Sequence, residues 1–107
     1  TGHTRVMNAI HDGLAALGFR EAIRREIQVG LVASVIYPDD ENWNFEKVHD
    51  YCYERGFTIY PGKITGANTF RLCALGAIDV SDIEDFFAVL KQALEANNIA
   101  IPLKYNN

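Results

Sequence analysis

Several residue types that would mark a special class of protein are scarce in this sequence. Its 107 residues contain two cysteines, three prolines, one tryptophan and one methionine, which excludes a disulfide-rich secreted scaffold and a proline-rich linker. Ten basic residues stand against fourteen acidic ones, a formal net charge of −4, so the composition argues against a nucleic-acid or anionic-membrane surface. No apolar run approaches the roughly 20 residues that cross a bilayer, and the first residues form no secretory hydrophobic segment.

The two cysteines, Cys52 and Cys73, have no motif spacing, and each lies inside a predicted element. They favour reduced, buried thiols in a cytoplasmic protein over a single disulfide. The length and the 49% hydrophobic content suit one globular domain that spans residues 1–107 and has its own core.

Three segments have hydrophobic residues at helical spacing: 4–17, 44–55, and 81 to about 97. Gly18 and Gly56 follow the first two and are typical helix stops, and Asn44 is a good N-cap for the second. The third begins with Ser81-Asp82-Ile83-Glu84, which fits the capping box of a serine followed three residues later by a glutamate.

Two other segments have strand character. Residues 29–37 are apolar on both faces, which predicts a central strand covered on each side. Residues 56–76 predict two short strands joined by a glycine-rich turn. The resulting order, α-β-α-β-β-α, predicts an α+β domain whose small, mostly antiparallel sheet is covered by helices.

Three patterns that suggest sites are better explained by structure. The acidic residues 39–41 lack the alternate spacing of calcium ligands and predict a solvated loop. His49 and Cys52 are one helical turn apart, but no second pair completes a tetrahedral metal site. Gly62-Lys63 does not fit a phosphate loop, because Ile64 follows the lysine and no helix starts there. We therefore expect Lys63 to be a surface residue of the turn.

Arg71 is the main candidate site residue. Alternation along the strand places it on the face opposite to Phe70 and Leu72. A guanidinium inside an apolar strand needs a carboxylate, a phosphate or an open cleft. The residues alone leave two interpretations open: an ion pair with an acid across the sheet, or a bidentate clamp for the carboxylate of a ligand.

The same region resembles the C-terminal part of class V aminotransferases, with the closest likeness to 2-aminoethylphosphonate–pyruvate transaminases. The resemblance is carried by YERGFTIYPGK (53–63) and TFRLCALG (69–76), and it extends to LAALGF (14–19) and IYPDD (36–40). It covers most of the chain. The resemblance depends on all of these segments together, because any one of them alone is weak evidence for a family.

The resemblance implies a pyridoxal 5'-phosphate enzyme of fold type I, usually a homodimer, that transfers the amino group of 2-aminoethylphosphonate to pyruvate. It implies that Arg71 binds the substrate carboxylate. The Schiff-base lysine would belong to a large N-terminal domain that is absent here, so residues 1–107 would be the small C-terminal domain and would be inactive alone. Alternatives are a freestanding ferredoxin-like module that binds small molecules or regulates, and a structural dimerisation domain. We also expect apolar surface that makes the isolated chain self-associate.

Overall fold

The structure is a computed structural model that describes residues 2–22, 31–62, 68–74 and 78–106. Its elements, in chain order, are α1 (Gly2–Leu17), β1 (Arg20–Glu21), β2 (Leu31–Ile36), α2 (Phe45–Glu54), β3 (Tyr60–Pro61), β4 (Thr69–Ala74) and α3 (Val80–Ala96). The strands form one antiparallel sheet in the order β1-β2-β4-β3. The predicted α+β class is confirmed, and β1 is an additional short strand that the sequence pattern did not indicate.

The connection from β2 through α2 to β3 forms a split β-α-β unit. Both strands are antiparallel to β4, which lies between them, so β2 and β3 run parallel to each other. This is the arrangement expected of half a ferredoxin-like fold.

The first two helices end as their sequences predict. Gly18 and Gly56 have φ values of 92° and 90°, in the left-handed region that glycine adopts without steric cost. The Oδ1 atom of Asn44 accepts a hydrogen bond from the backbone N–H of Lys47 at 3.0 Å, which satisfies a donor that the first turn of α2 leaves unpaired.

The predicted cap of the third helix is wrong by two residues. Asp79 is the N-cap, and it forms a reciprocal capping box with Asp82 instead of a box between Ser81 and Glu84. The Ser81 hydroxyl donates to Oδ1 of Asp79 at 2.6 Å. Aspartate is as good a cap as serine, and the earlier start lets Asp79 accept from both Ser81 and the N–H of Asp82.

The core lies between the helices and one face of the sheet. On that face Ala33 and Val35 of β2 and Phe70 and Leu72 of β4 are buried. The helices, loops and C-terminal tail contribute the other buried hydrophobic residues, which are Val6, Ile10, Leu14, Leu17, Phe19, Val48, Cys52, Ile59, Ile83, Phe86, Leu90, Ala93, Leu94, Ile99 and Leu103.

The opposite face of the sheet, which we call the open face, carries Val32, Ser34, Ile36, Tyr60, Thr69, Arg71 and Cys73. Among the described residues the prediction that the central strand is covered on each side is met only in part, since on this face Ser34 is buried. Val32 and Ile36 are only half-buried, and neither packs against the core. Two apolar side chains therefore remain partly exposed on this face.

The acidic loop after β2 is largely exposed, as expected for residues 39–41, and two of its carboxylates also bind the C-terminal tail. Oδ2 of Asp39 accepts from the backbone N–H of Asn106 at 2.8 Å, and Oδ2 of Asp40 accepts from that of Ala100 at 3.2 Å. The Tyr105 hydroxyl donates to the Ile36 carbonyl at 2.5 Å. These bonds hold the C-terminal tail against the end of the sheet.

Candidate functional site

Arg71 lies in the middle of the open face. Cross-strand neighbours share a face, and Arg71 pairs with Ser34 on β2 and with Tyr60 on β3. A row of three polar side chains therefore crosses a face that is otherwise largely apolar. The predicted separation of Arg71 from Phe70 and Leu72 is confirmed, because both of those residues are buried and Arg71 is half-buried.

One nitrogen of the Arg71 guanidinium is held by the backbone. Its Nε–H donates to the carbonyl oxygen of Pro61 at 3.1 Å. Among the described residues no carboxylate lies within ion-pair distance of Arg71. The interpretation that an acid across the sheet pairs with this arginine therefore finds no support in residues 2–22, 31–62, 68–74 or 78–106.

The position of Pro61 shows in which direction the side chain of Arg71 runs. Gly62 N–H donates to the Thr69 carbonyl at 3.1 Å, so Gly62 and Thr69 are a hydrogen-bonded pair of the antiparallel ladder. The neighbouring Pro61 and Phe70 are therefore a non-hydrogen-bonded pair. The Pro61 carbonyl thus points away from β4, as expected for a proline on an edge strand. Arg71 reaches this carbonyl by crossing over β3.

Because of this contact, the two terminal nitrogens of the guanidinium are the ones that remain available to a ligand. A guanidinium offers a carboxylate either its Nε side or the pair of terminal nitrogens. Since Nε is bonded to Pro61, the two Nη groups remain, and they make no hydrogen bond within the described part of the chain. Chemically, the site is a half-buried cation that can bind an acid group end-on through two parallel N–H···O bonds.

Comparison with known proteins agrees with the motifs on β3 and β4. The chain is 36% identical over 90 residues to a 2-aminoethylphosphonate–pyruvate transaminase of Burkholderia ambifaria, an alignment that covers 84% of this chain and 24% of that protein. Proteins of the same name match it from Phocaeicola vulgatus (33%; 83% and 24% covered) and, as transaminase 2, from Burkholderia lata (32%; 91% and 26% covered). No family model matches the chain.

Over most of its length the chain is therefore similar to proteins named 2-aminoethylphosphonate–pyruvate transaminase. It spans about a quarter of the length of the curated relatives that it matches. The resemblance noted on residues 53–63 and 69–76 is therefore confirmed, and it extends over 83–91% of the chain in these relatives.

The described part of this chain does not fit the pyridoxal phosphate cofactor. Such a cofactor needs a lysine amine for its Schiff base, and Lys47, Lys91 and Lys104 are all exposed, on α2, on α3 and in the tail. Lys63, the remaining lysine, lies outside the described residues.

The other residues that the sequence analysis considered lie away from Arg71 or lack partners for chemistry. His49 contacts Asp50 at 3.0 Å, and burial raises the pKa of the Cys52 thiol to about 11, which keeps it protonated and poorly nucleophilic. No group of three metal-ligating side chains occurs among the residues that the structure describes. No helix there is long and apolar enough to cross a membrane.

A hollow of about 250 Å³ lies beside the short edge strand and reaches Tyr60, the cross-strand neighbour of Arg71. It exists because β3 pairs with β4 over only two residues, whereas the sequence predicted that Phe57 and Ile59 would extend that strand. Phe57, Leu72 and Ile83 are among its mostly apolar lining residues.

Sequence reasoning missed the anchoring role of Pro61. It treated this proline only as turn chemistry, and a backbone carbonyl leaves no signal in a side-chain pattern. The available signal was positional, because a proline inside a strand is confined to an edge, where its carbonyl is free to accept a bond.

Proposed function

We propose that residues 1–107 are the small C-terminal domain of a longer pyridoxal-phosphate transaminase. The enzyme transfers the amino group of 2-aminoethylphosphonate to pyruvate and gives phosphonoacetaldehyde and alanine. The matches to transaminases over 83–92% of the chain support this proposal. So does the short coverage of those relatives, which leaves about three quarters of their length for the domain that would bind the cofactor.

In this proposal Arg71 binds the carboxylate of pyruvate or alanine. The observation that carries it is the terminal fork of Arg71, which has no partner among the described residues. This fork is half-buried on the open face, with Nε fixed by Pro61. A cation held in this way needs little reorganisation when an acid group binds. Orientation by a bidentate contact would present the keto or amino carbon of the substrate in one direction.

The open face of the sheet seats the large domain in the proposed enzyme. The half-buried Val32 and Ile36 would then exclude water around Arg71, which strengthens an ion pair by lowering the local dielectric constant. A second subunit would complete a homodimer. The free cysteines Cys52 and Cys73 are compatible with the proposed cytoplasmic location.

The test uses the complete gene product that contains this chain. The purified protein is supplied with pyridoxal phosphate, 2-aminoethylphosphonate and pyruvate, and the formation of alanine is followed by NMR. We expect alanine and phosphonoacetaldehyde in equal amounts. A protein that binds the cofactor but transfers an amino group only from another donor would refute the substrate assignment.

A second candidate function, a freestanding ferredoxin-like binding module, is favoured by the split β-α-β unit of β2, α2 and β3. The same preparation separates the two. A gene product of about this length that shows no transamination and binds an amino acid or keto acid by calorimetry would support the module.

A further inference from the structure

We infer that the Thr69 hydroxyl is a second contact to the acid group that Arg71 binds. The inference rests on the proposed function. It adds a residue that determines how the acid group is held.

Thr69 and Arg71 are on the same face of β4, because they are two residues apart on one strand. Both side chains run toward β3. Arg71 does so through its bond to the Pro61 carbonyl, and Thr69 does so because its Oγ1 occupies the space beside Gly62. A methyl group added at Gly62 would collide with this oxygen and would lie 2.6 Å from the Thr69 carbonyl oxygen.

The missing side chain at position 62 leaves a shallow seat over Pro61 and Gly62 that the Thr69 hydroxyl occupies, beside the Pro61 carbonyl that holds Arg71. A side chain at position 62 would displace this hydroxyl. An ionised carboxylate has about four acceptor sites on its two oxygens. The terminal nitrogens of Arg71 use two of them, and a hydroxyl donor from the side can use a third.

The Thr69 hydroxyl is free to make this bond. It makes no hydrogen bond within the described part of the chain. In that part the only buried side-chain polar atom without a partner is Nε1 of Trp43, so the Thr69 oxygen is not fully buried. Its lack of a partner therefore does not carry the cost of a buried unsatisfied group. Ser34 is the other small residue with a hydroxyl on the open face. It lies on β2, on the opposite side of β4, whereas the side chain of Arg71 leans toward β3.

The experiment measures steady-state kinetics of the full-length transaminase with pyruvate as the varied substrate. Thr69→Val keeps the shape and removes the hydroxyl, and Thr69→Ser keeps the hydroxyl. Thr58→Val, an exposed position outside the strands, is the matched control. We expect Thr69→Val to raise KM for pyruvate about tenfold, the lower end for a hydrogen bond to an ionised group, with kcat within about twofold. Thr69→Ser and the control should behave as the wild type.

A double-mutant cycle with Arg71→Ala distinguishes a shared ligand from a structural effect. If both residues hold the same acid group, Thr69→Val should change KM less than about twofold once Arg71 is absent. An undiminished effect in that background, or a loss of kcat in parallel with a lower melting temperature, would mean that Thr69 acts only on the fold and would overturn the inference.

The outcomes also separate this inference from the proposed function. A normal Thr69→Val enzyme together with a defective Arg71→Ala enzyme would reject the hydroxyl contact and leave the function intact. Normal kinetics for both variants, or no transamination by the wild type, would reject the carboxylate clamp itself, and the Thr69 contact with it.

Discussion

Replacement of Arg71 by lysine is the most direct test of the proposed site, because it keeps the charge and removes the fork. Lysine has one terminal nitrogen, so it cannot make two parallel bonds to a carboxylate, and it has no Nε donor for the Pro61 carbonyl. If the positive charge alone mattered, the substitution would be nearly silent. If the geometry described above matters, it removes one of the two charge-assisted bonds and also releases the side chain from its anchor.

The size of the effect follows from these bonds. A hydrogen bond to a charged group contributes about 1.5–3 kcal/mol, and each 1.4 kcal/mol corresponds to tenfold in affinity. We therefore expect Arg71→Lys to raise KM for pyruvate and for alanine by about 10- to 100-fold. The loss of the partly exposed bond to Pro61 should lower the free energy of unfolding by only about 1 kcal/mol, which leaves the protein folded under assay conditions.

The assay varies one substrate at a time in the full-length enzyme. Pyruvate and alanine carry the carboxylate, whereas 2-aminoethylphosphonate does not, so KM for the phosphonate should change much less. Arg5→Lys, an exposed position on α1, is the control for the chemistry of the substitution. Wild-type KM values for pyruvate and alanine in Arg71→Lys would show that the terminal fork of Arg71 does not bind the carboxylate, and the reasoning would fail.

Three further expectations concern stability and reactivity. Tyr105→Phe removes the bond to the Ile36 carbonyl and should lower the free energy of unfolding by about 1–2 kcal/mol in urea titrations; an unchanged midpoint would show that the tail does not stabilise the sheet. Hydrogen bonds from Ser81 and Asp82 lower the pKa of Asp79. The ionised Asp79 therefore stabilises the folded protein above the ordinary carboxyl pKa, and this stabilisation is lost as the pH falls through the lowered value. Asp79→Ala should weaken this acid dependence of the melting temperature. Cys52, whose pKa is raised to about 11 by burial, should resist alkylation at pH 8 in the folded protein, and equal labelling of Cys52 and the half-buried Cys73 would contradict the packing of α2.

The elements that could be predicted from the sequence are those with a repeated signal. Helices α1 and α2 combine apolar periodicity with a glycine stop, and both are where the pattern places them. The cap of α3 was misplaced because Asp79 and Ser81 are equally good caps and only the three-dimensional geometry chooses between them. The two-residue β1 carries too few residues for a period-2 pattern, so no sequence argument could find it.

For the site, the sequence identified Arg71 but not what holds it. An arginine in an apolar strand is visible because it breaks the pattern. The Pro61 carbonyl and the seat above Gly62 depend on which residue pairs with which across β3 and β4, and strand register was not predicted. The bonds from the acidic loop to the tail could not be predicted for a related reason, since the partners of Asp39 and Asp40 lie 67 and 60 residues away in the chain.

The attachment of the tail has a consequence for how the domain is completed and handled. The Tyr105 hydroxyl joins the backbone of Arg20 and Ile36, so the edge formed by β1 and β2 acquires its last hydrogen bonds only when the end of the chain is present. Such pairings between distant residues form late, since the entropy of closing the long loop must be overcome first. A truncation before Tyr105 would leave two strand backbones that can pair with another molecule. A purification tag that replaces residues 105 and 106 would remove the Tyr105 contacts, whereas a tag placed after Asn106 would keep them.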